Sequence, residues 1–116
     1  MLELLYWDVS KFVKIHSSLI GVGNGSDQIL NLILSNFASK ETKVLTSNPT
    51  FGFFEERCKL YGIPLIAIPF SDDMKLDIKE FTKKSKNADI LYLDSPNNPY
   101  FIRKITYCRI YTIYRT

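Results

Sequence analysis

The chain has 116 residues, 46% of them hydrophobic and 23% charged, enough for one domain with a real core. No apolar run approaches bilayer-spanning length, and the start Met1–Tyr6 lacks the basic segment that opens a signal peptide. The net charge of +3 belongs to the last stretch, because residues 1–99 carry 11 Lys/Arg against 12 Asp/Glu while residues 100–116 carry four against none.

Residues 3–14 place Leu5, Phe12 and Val9 on one side, with Asp8, Lys11 and Lys14 elsewhere, which predicts a short amphipathic helix. His16-Ser17-Ser18 reads as a turn, and Leu19–Val22 as a short strand feeding a glycine-rich loop. From Gln28 the pattern is helical. Ile29, Ile33 and Phe37 fall at i, i+4 and i+8 beside Leu30 and Leu34, which predicts one broad buried face. Lys43–Ser47 is a second strand ending at Asn48-Pro49, and a helix follows from about Thr50 to Leu60, with Gly62 as its stop. Pro64–Pro69 is a third strand, Ser71-Asp72-Asp73 a turn, and Asp77–Lys84 a short helix with Ile78 and Phe81 inward. Ala88–Leu93 is a fourth strand, ending in Asp94-Ser95-Pro96-Asn97-Asn98-Pro99.

Strand and helix alternate from residue 19 to 93, and the strands are almost continuously apolar. The fold class is therefore α/β, a largely parallel sheet with helices on both faces. Ligands of such sheets bind beyond the carboxyl ends of the strands, where the loops at 23–27, 48–52 and 94–99 would meet.

The glycine loop, Gly21-Val22-Gly23-Asn24-Gly25-Ser26-Asp27, opens a helix whose first N–H groups suit an anion such as a phosphate. Ser26 stands where a dinucleotide fingerprint requires glycine. The second strand ends in Thr46-Ser47-Asn48 without the acid that such a fold uses, and there is no Gly-Lys-Ser/Thr. A glycine-rich turn capped by Ser26 or Asn24 is the purely structural alternative. In Asn48-Pro49-Thr50-Phe51-Gly52-Phe53 the phenylalanines serve either the core or the flat face of an aromatic ligand. Ser95-Pro96-Asn97-Asn98-Pro99 makes a rigid turn, or fixes an amide against a ligand oxygen.

Taken together and in this order, the three loops resemble pyridoxal-phosphate-dependent aminotransferases of class I/II (fold type I), and among these the histidinol-phosphate aminotransferase branch. Gly23-Asn24-Gly25-Ser26-Asp27-Gln28 is similar to that branch's Gly-x-Gly-Ser/Ala-Asp-Glu block. Pro49-Thr50-Phe51-Gly52-Phe53 is similar to its Pro-Thr-Tyr/Phe-Gly block, and Ser95–Pro99 to its Ser/Asn-Pro-Asn-Asn-Pro-Thr-Gly block. The resemblance covers about residues 9 to 99. It implies that Gly25, Ser26 and Asp27 hold the phosphate of pyridoxal 5'-phosphate, that Phe51 stacks on its ring, and that Asn98 bonds the ring's phenolic oxygen. It further implies a small-molecule amino donor and 2-oxo acid as substrates and a homodimer, while the cysteine spacing reads as reduced thiols in a cytoplasmic protein, and no nucleic-acid or membrane partner is expected.

After Pro99 the family pattern of Thr-Gly gives way to Tyr100-Phe101, and nothing in 102–116 matches it. The chain accordingly divides into a partial large domain, 1–99, and a non-matching tail, 100–116. The tail reads either as a stretch out of frame or as a genuine edge strand or hairpin of high β propensity. The family's aspartate for the ring nitrogen, its covalently attached lysine and its substrate-binding arginine have no counterpart, and Lys104 lacks the Ser-x-x-Lys context. The expectation is an interior piece of such an enzyme, without turnover as it stands.

Two other classes compete. One is a nucleotide or S-adenosylmethionine binding domain built on Gly-x-Gly-x-Gly. The other is a nucleic-acid module using Arg103, Lys104, Arg109 and Arg115 among Tyr107, Tyr111 and Tyr114. Cys58 and Cys108 show no metal or redox spacing, with Cys58 expected in the core or against a partner helix. His16 reads as a solvated turn residue, and Lys83-Lys84-Ser85-Lys86 as a solvated helix end.

Overall fold

The computed structural model describes residues 2–94 and Asn97. Asn98, Cys108 and the tail 100–116, with its basic residues and its edge-strand reading, lie outside the described residues.

A three-stranded parallel sheet organises the described chain, in the order β2 (Leu65–Pro69), β1 (Val44–Asn48), β3 (Ile90–Leu91). Val44 pairs with Leu65 on one side and Ile90 on the other, and the β1–β2 register runs on to Asn48 opposite Pro69. Val44 through Ser47 are all buried, as a central parallel strand covered on both faces requires. Successive side chains go to opposite layers. Val44 joins the cluster of Leu30, Leu34, Phe54 and Cys58, whereas Leu45 joins Ile68, Phe81 and Ala88.

Those clusters assign the helices. α2 (Gly25–Phe37) and α3 (Gly52–Leu60) cover one face, and α4 (Ile78–Ser85) covers the other. The α/β class with helices on both faces is thus what the chain adopts. On α2 the buried stripe is Leu30 and Leu34, with Ile29 and Ile33 half-buried and Phe37 exposed, so the face is narrower than its periodicity suggests. The Tyr61 hydroxyl donates to Asn31 Oδ1 at 2.8 Å and ties α3 to α2. Gly62, at φ +66°, stops α3 as its sequence position predicts, and its N–H donates to the Lys59 carbonyl at 3.1 Å.

α4 begins at Asp77, whose carboxylate accepts from the Glu80 N–H at 2.9 Å. Its Phe81 is buried, but Ile78, expected inward, is 58% exposed. Ile78 is the first residue of an eight-residue helix whose one buried residue is Phe81. Before it, Ser71 and Lys75 close the turn by hydrogen-bonding Asp73, and the Lys75 ammonium holds that carboxyl down to about 2.

Two strand expectations need correction. Leu19–Val22 is not a strand: Ser17–Leu19 form a 3-10 turn, and Ile20 is extended but joins no ladder of the described sheet. Extended backbone becomes a strand only when a neighbour takes its N–H and C=O groups. The last strand is shorter than Ala88–Leu93, because only Ile90 and Leu91 pair with β1 and the Tyr92 N–H makes the last bond to it, on the Leu45 carbonyl at 2.9 Å. Finally, α1 (Leu2–Val13) is helical as expected yet buries no residue, with Leu5 and Phe12 both exposed. It ends at Lys14, whose φ of 57° breaks the helix.

Candidate functional site

The direction of the helices decides which loops meet. The connection after α2 is short, and the aliphatic chain of Lys40 lies beside Gly62, 3.7 Å from where a Cβ would stand. The carboxyl ends of α2 and α3 therefore share the amino edge of the sheet, and their amino ends face the carboxyl edge, where β1 and β3 also finish.

At the start of α2 the glycines do two different jobs. Gly25 sits at φ +73° with open space where a side chain would project, so only its backbone conformation demands glycine. Gly23 has an ordinary φ but is crowded: a Cβ there would lie 2.8 Å from Ile29 Cδ1 and 2.9 Å from Gln28 Oε1. Gln28 also accepts a hydrogen bond from the Asn24 N–H, which fixes the turn. The Asn24 side chain makes no capping bond, and Gly23 to Gln28 are exposed. Ser26 and Asp27 lie in the first helical turn, where their N–H groups have no intrahelical acceptor, whereas the Gly25 N–H donates to the Gly23 carbonyl at 3.1 Å. The capped-turn alternative therefore fails as regards Asn24. A small, exposed, uncapped helix start fits a phosphate, and the positive end of the helix dipole favours one.

The second loop follows β1. Asn48-Pro49 is a cis peptide bond, and Phe51 is the half-buried residue that caps α3. The three phenylalanines separate by environment. Phe54 is a core residue, stacked on Tyr92 with ring centroids 3.8 Å apart, and Phe53 has the Arg57 guanidinium over it at 4.8 Å. Phe51 stands at the carboxyl edge, 6.0 Å from Phe53 and tilted by 31°, and packs half-buried against the core cluster.

The third loop is tied to the second by buried polar contacts. Thr46 Oγ1 donates to Thr50 Oγ1 at 3.3 Å, and Thr50 Oγ1 donates to Asp94 Oδ1 at 3.2 Å. The Asn97 amide donates to the Pro49 carbonyl at 2.9 Å and to Asp94 Oδ1 at 3.2 Å. Ser47 Oγ adds a second donor to the Pro49 carbonyl at 3.2 Å. Thr46, Ser47, Thr50 and Asn97 are all buried. Sequence reasoning singled out none of these as site residues. Thr46, Ser47 and Thr50 do carry a readable signal, since hydroxyls at the end of a doubly covered strand must find partners.

Of the predicted site residues, Gly25, Ser26 and Asp27 form the helix start, and Phe51 caps the neighbouring helix at the same sheet edge. Asn98 lies outside the described residues. Among the described residues every lysine is exposed, and no His/Cys/Asp/Glu group could hold a metal. Burial among α2 and α3 side chains pushes the Cys58 thiol up to about 11 and keeps it an inert core group, as expected from its position. His16 is exposed, its ring nitrogen accepting from the Ser18 N–H at 3.3 Å.

These features define a parallel α/β protein with an exposed, glycine-rich helix start and an aromatic helix cap at the carboxyl edge of its sheet. The chain belongs to the aminotransferase class I and II family, whose sequence model matches residues 4–100. It is 34% identical over 91 residues to histidinol-phosphate aminotransferase of Pyrococcus furiosus, covering 78% of this chain and 26% of that protein. The enzyme of the same name from Thermococcus gammatolerans is 33% identical over the same share of each chain. The chain thus spans about a quarter of the length of the curated relatives it matches.

Among solved structures, histidinol-phosphate aminotransferase of Clostridium acetobutylicum superposes with a TM-score of 0.67 at 27% identity, covering 86% of this chain and 29% of that one. The Sinorhizobium meliloti enzyme, solved with pyridoxal 5'-phosphate, gives 0.70 at 24% identity over 84% and 27%, which shows the shared fold. Pyridoxal 5'-phosphate is bound in that structure and in the structural neighbour cystalysin of Treponema denticola. Among the described residues no helix is long and apolar enough to cross a membrane.

Proposed function

We propose that the chain forms the cofactor-holding part of a histidinol-phosphate-aminotransferase-like enzyme that binds pyridoxal 5'-phosphate. The observation that carries this reading is the uncapped start of α2, Gly25-Ser26-Asp27, at the sheet edge that also carries Phe51. The backbone N–H groups of the first turn and the Ser26 hydroxyl hold the phosphate, and the helix dipole supports its charge. Phe51 covers one face of the pyridine ring, and Asn98 donates to the ring oxygen. When bound, the cofactor supplies the electron sink that lets an amino group move between an amine and a 2-oxo acid or phosphorylated ketone.

Exposed lysines cannot serve as the desolvated amine that such chemistry requires, so the described residues bind and orient the cofactor without attaching it. The full reaction belongs to a cytoplasmic homodimer in which a second subunit completes the site. A nucleotide-binding reading lacks its acid, since β1 ends in Ser47 and Asn48.

The test compares pyridoxal 5'-phosphate with pyridoxal on the whole 116-residue chain, by absorbance titration. The phosphorylated ligand is expected to saturate, pyridoxal is not, and inorganic phosphate should compete. Equal binding of the two aldehydes would show surface-lysine chemistry and end the proposal.

A further inference from the structure

The polar contacts at the carboxyl edge close in a particular way. Pro49 O accepts from two side chains, Ser47 and Asn97, and Asp94 Oδ1 accepts from Thr50 and, again, Asn97. Asn97 is the one member of both pairs, and it is only 3% exposed. Its amide therefore bridges two segments 48 residues apart in sequence, the turn entering α3 and the chain leaving β3. Such an amide is buried with its donors spent on protein acceptors rather than on a ligand. Pro49 lies two residues before Phe51, so the bridge fixes the backbone that aims the Phe51 ring.

We propose that Asn97 is a positioning residue, a clip that locks the Pro49–Phe51 turn to the end of β3 and so holds the Phe51 ring in place for the cofactor. The cofactor part rests on the function proposed above, whereas the clip stands on the hydrogen bonds alone. Removing the amide leaves the Pro49 carbonyl with Ser47 and the Asp94 carboxylate with Thr50, so the sheet survives while the turn loosens. The start of α2 makes none of these contacts, and its hold on phosphate should be unaffected.

The experiment uses the full chain with Asn97→Ala and Asn97→Leu, the second keeping about the same side-chain size while losing both donors without adding a charge beside Asp94. Amide hydrogen exchange is read at Phe54, whose N–H donates to the Phe51 carbonyl at 2.9 Å, and in the Val44–Thr46 ladder as internal reference. Protection at Phe54 should fall about tenfold in both variants, the scale of one lost buried hydrogen bond, with the ladder unchanged. Equal loss at both places, or none, overturns the clip. In parallel, affinity for pyridoxal 5'-phosphate should fall about tenfold while affinity for inorganic phosphate changes less than about twofold. Equal losses for the two ligands would reduce Asn97 to a stability residue and overturn the positioning role. A wild-type chain that takes up no pyridoxal 5'-phosphate would end the cofactor reading, and the amide exchange would still decide the clip.

Discussion

Replacing the glycines before α2 one at a time separates backbone strain from crowding. Gly25 holds φ +73° with nothing within 4 Å of where a Cβ would stand, so Gly25→Ala meets no clash and incurs only left-handed strain. That strain is worth about 1–2 kcal/mol. For a domain of this size each kcal/mol lowers Tm by about 4–8 °C. If the turn relaxes instead of storing the strain, the first N–H groups of α2 swing away, and phosphate affinity falls by about 5–30-fold for the same energy. Gly25→Asn, which tolerates this region, should lose less than half as much. Gly23→Ala faces Ile29 Cδ1 and Gln28 Oε1, and displacing Gln28 breaks its bond to the Asn24 N–H, for about 0.5–1.5 kcal/mol. Gly21→Ala, with open space and an ordinary φ, should be neutral or slightly stabilising. Thermal unfolding and phosphate titration of the four variants measure this order. Should Gly21→Ala and Gly25→Ala prove indistinguishable, the assignment of Gly25 as the conformational hinge of the cup is wrong.

Other outcomes follow from the packing. Phe54→Ala removes a ring that is 2% exposed and stacked on Tyr92, and should cost about 3–5 kcal/mol in urea unfolding, near the whole stability of a small domain. Asp77→Ala removes the carboxylate that caps α4 and should cost about 1 kcal/mol by the same method, with cofactor binding unchanged. Cys58 stays a thiol because burial raises it from 9.0 to about 11, so the folded state holds its proton longer than the unfolded one. Its contribution is complete below pH 9 and is lost as pH climbs toward 11, and peptide mapping after alkylation at pH 8 should find Cys58 unlabelled until the chain unfolds.

Much of this was legible in the residues. The doubly buried strand at Val44–Ser47 announced itself through an unbroken apolar and hydroxyl run, and Gly62 and Asp77 announced their helix ends through local chemistry. Those signals are short-range, which is why they survive without tertiary knowledge. Leu19–Val22 failed because pairing is a long-range property that an apolar run cannot specify. Ile78 failed because periodicity says which face is apolar and not whether another layer covers it. At the sheet edge, the glycine-dependent turn at Gly25 and the start of α3 after Pro49 were readable from local residue types. The clip through Asn97 was not, since its partners, Pro49 and Asp94, meet only once β1 and β3 are adjacent.

Whether one sheet edge holds one cofactor through α2 and Phe51 is tested most directly by a map of backbone amide chemical shifts as pyridoxal 5'-phosphate is added to the whole chain. The predicted result is saturable shifts concentrated at Gly25, Ser26 and Asp27 and around Phe51, with inorganic phosphate reproducing only the first group. Shifts scattered over the exposed lysines, or confined to the apolar face of α1, would contradict it.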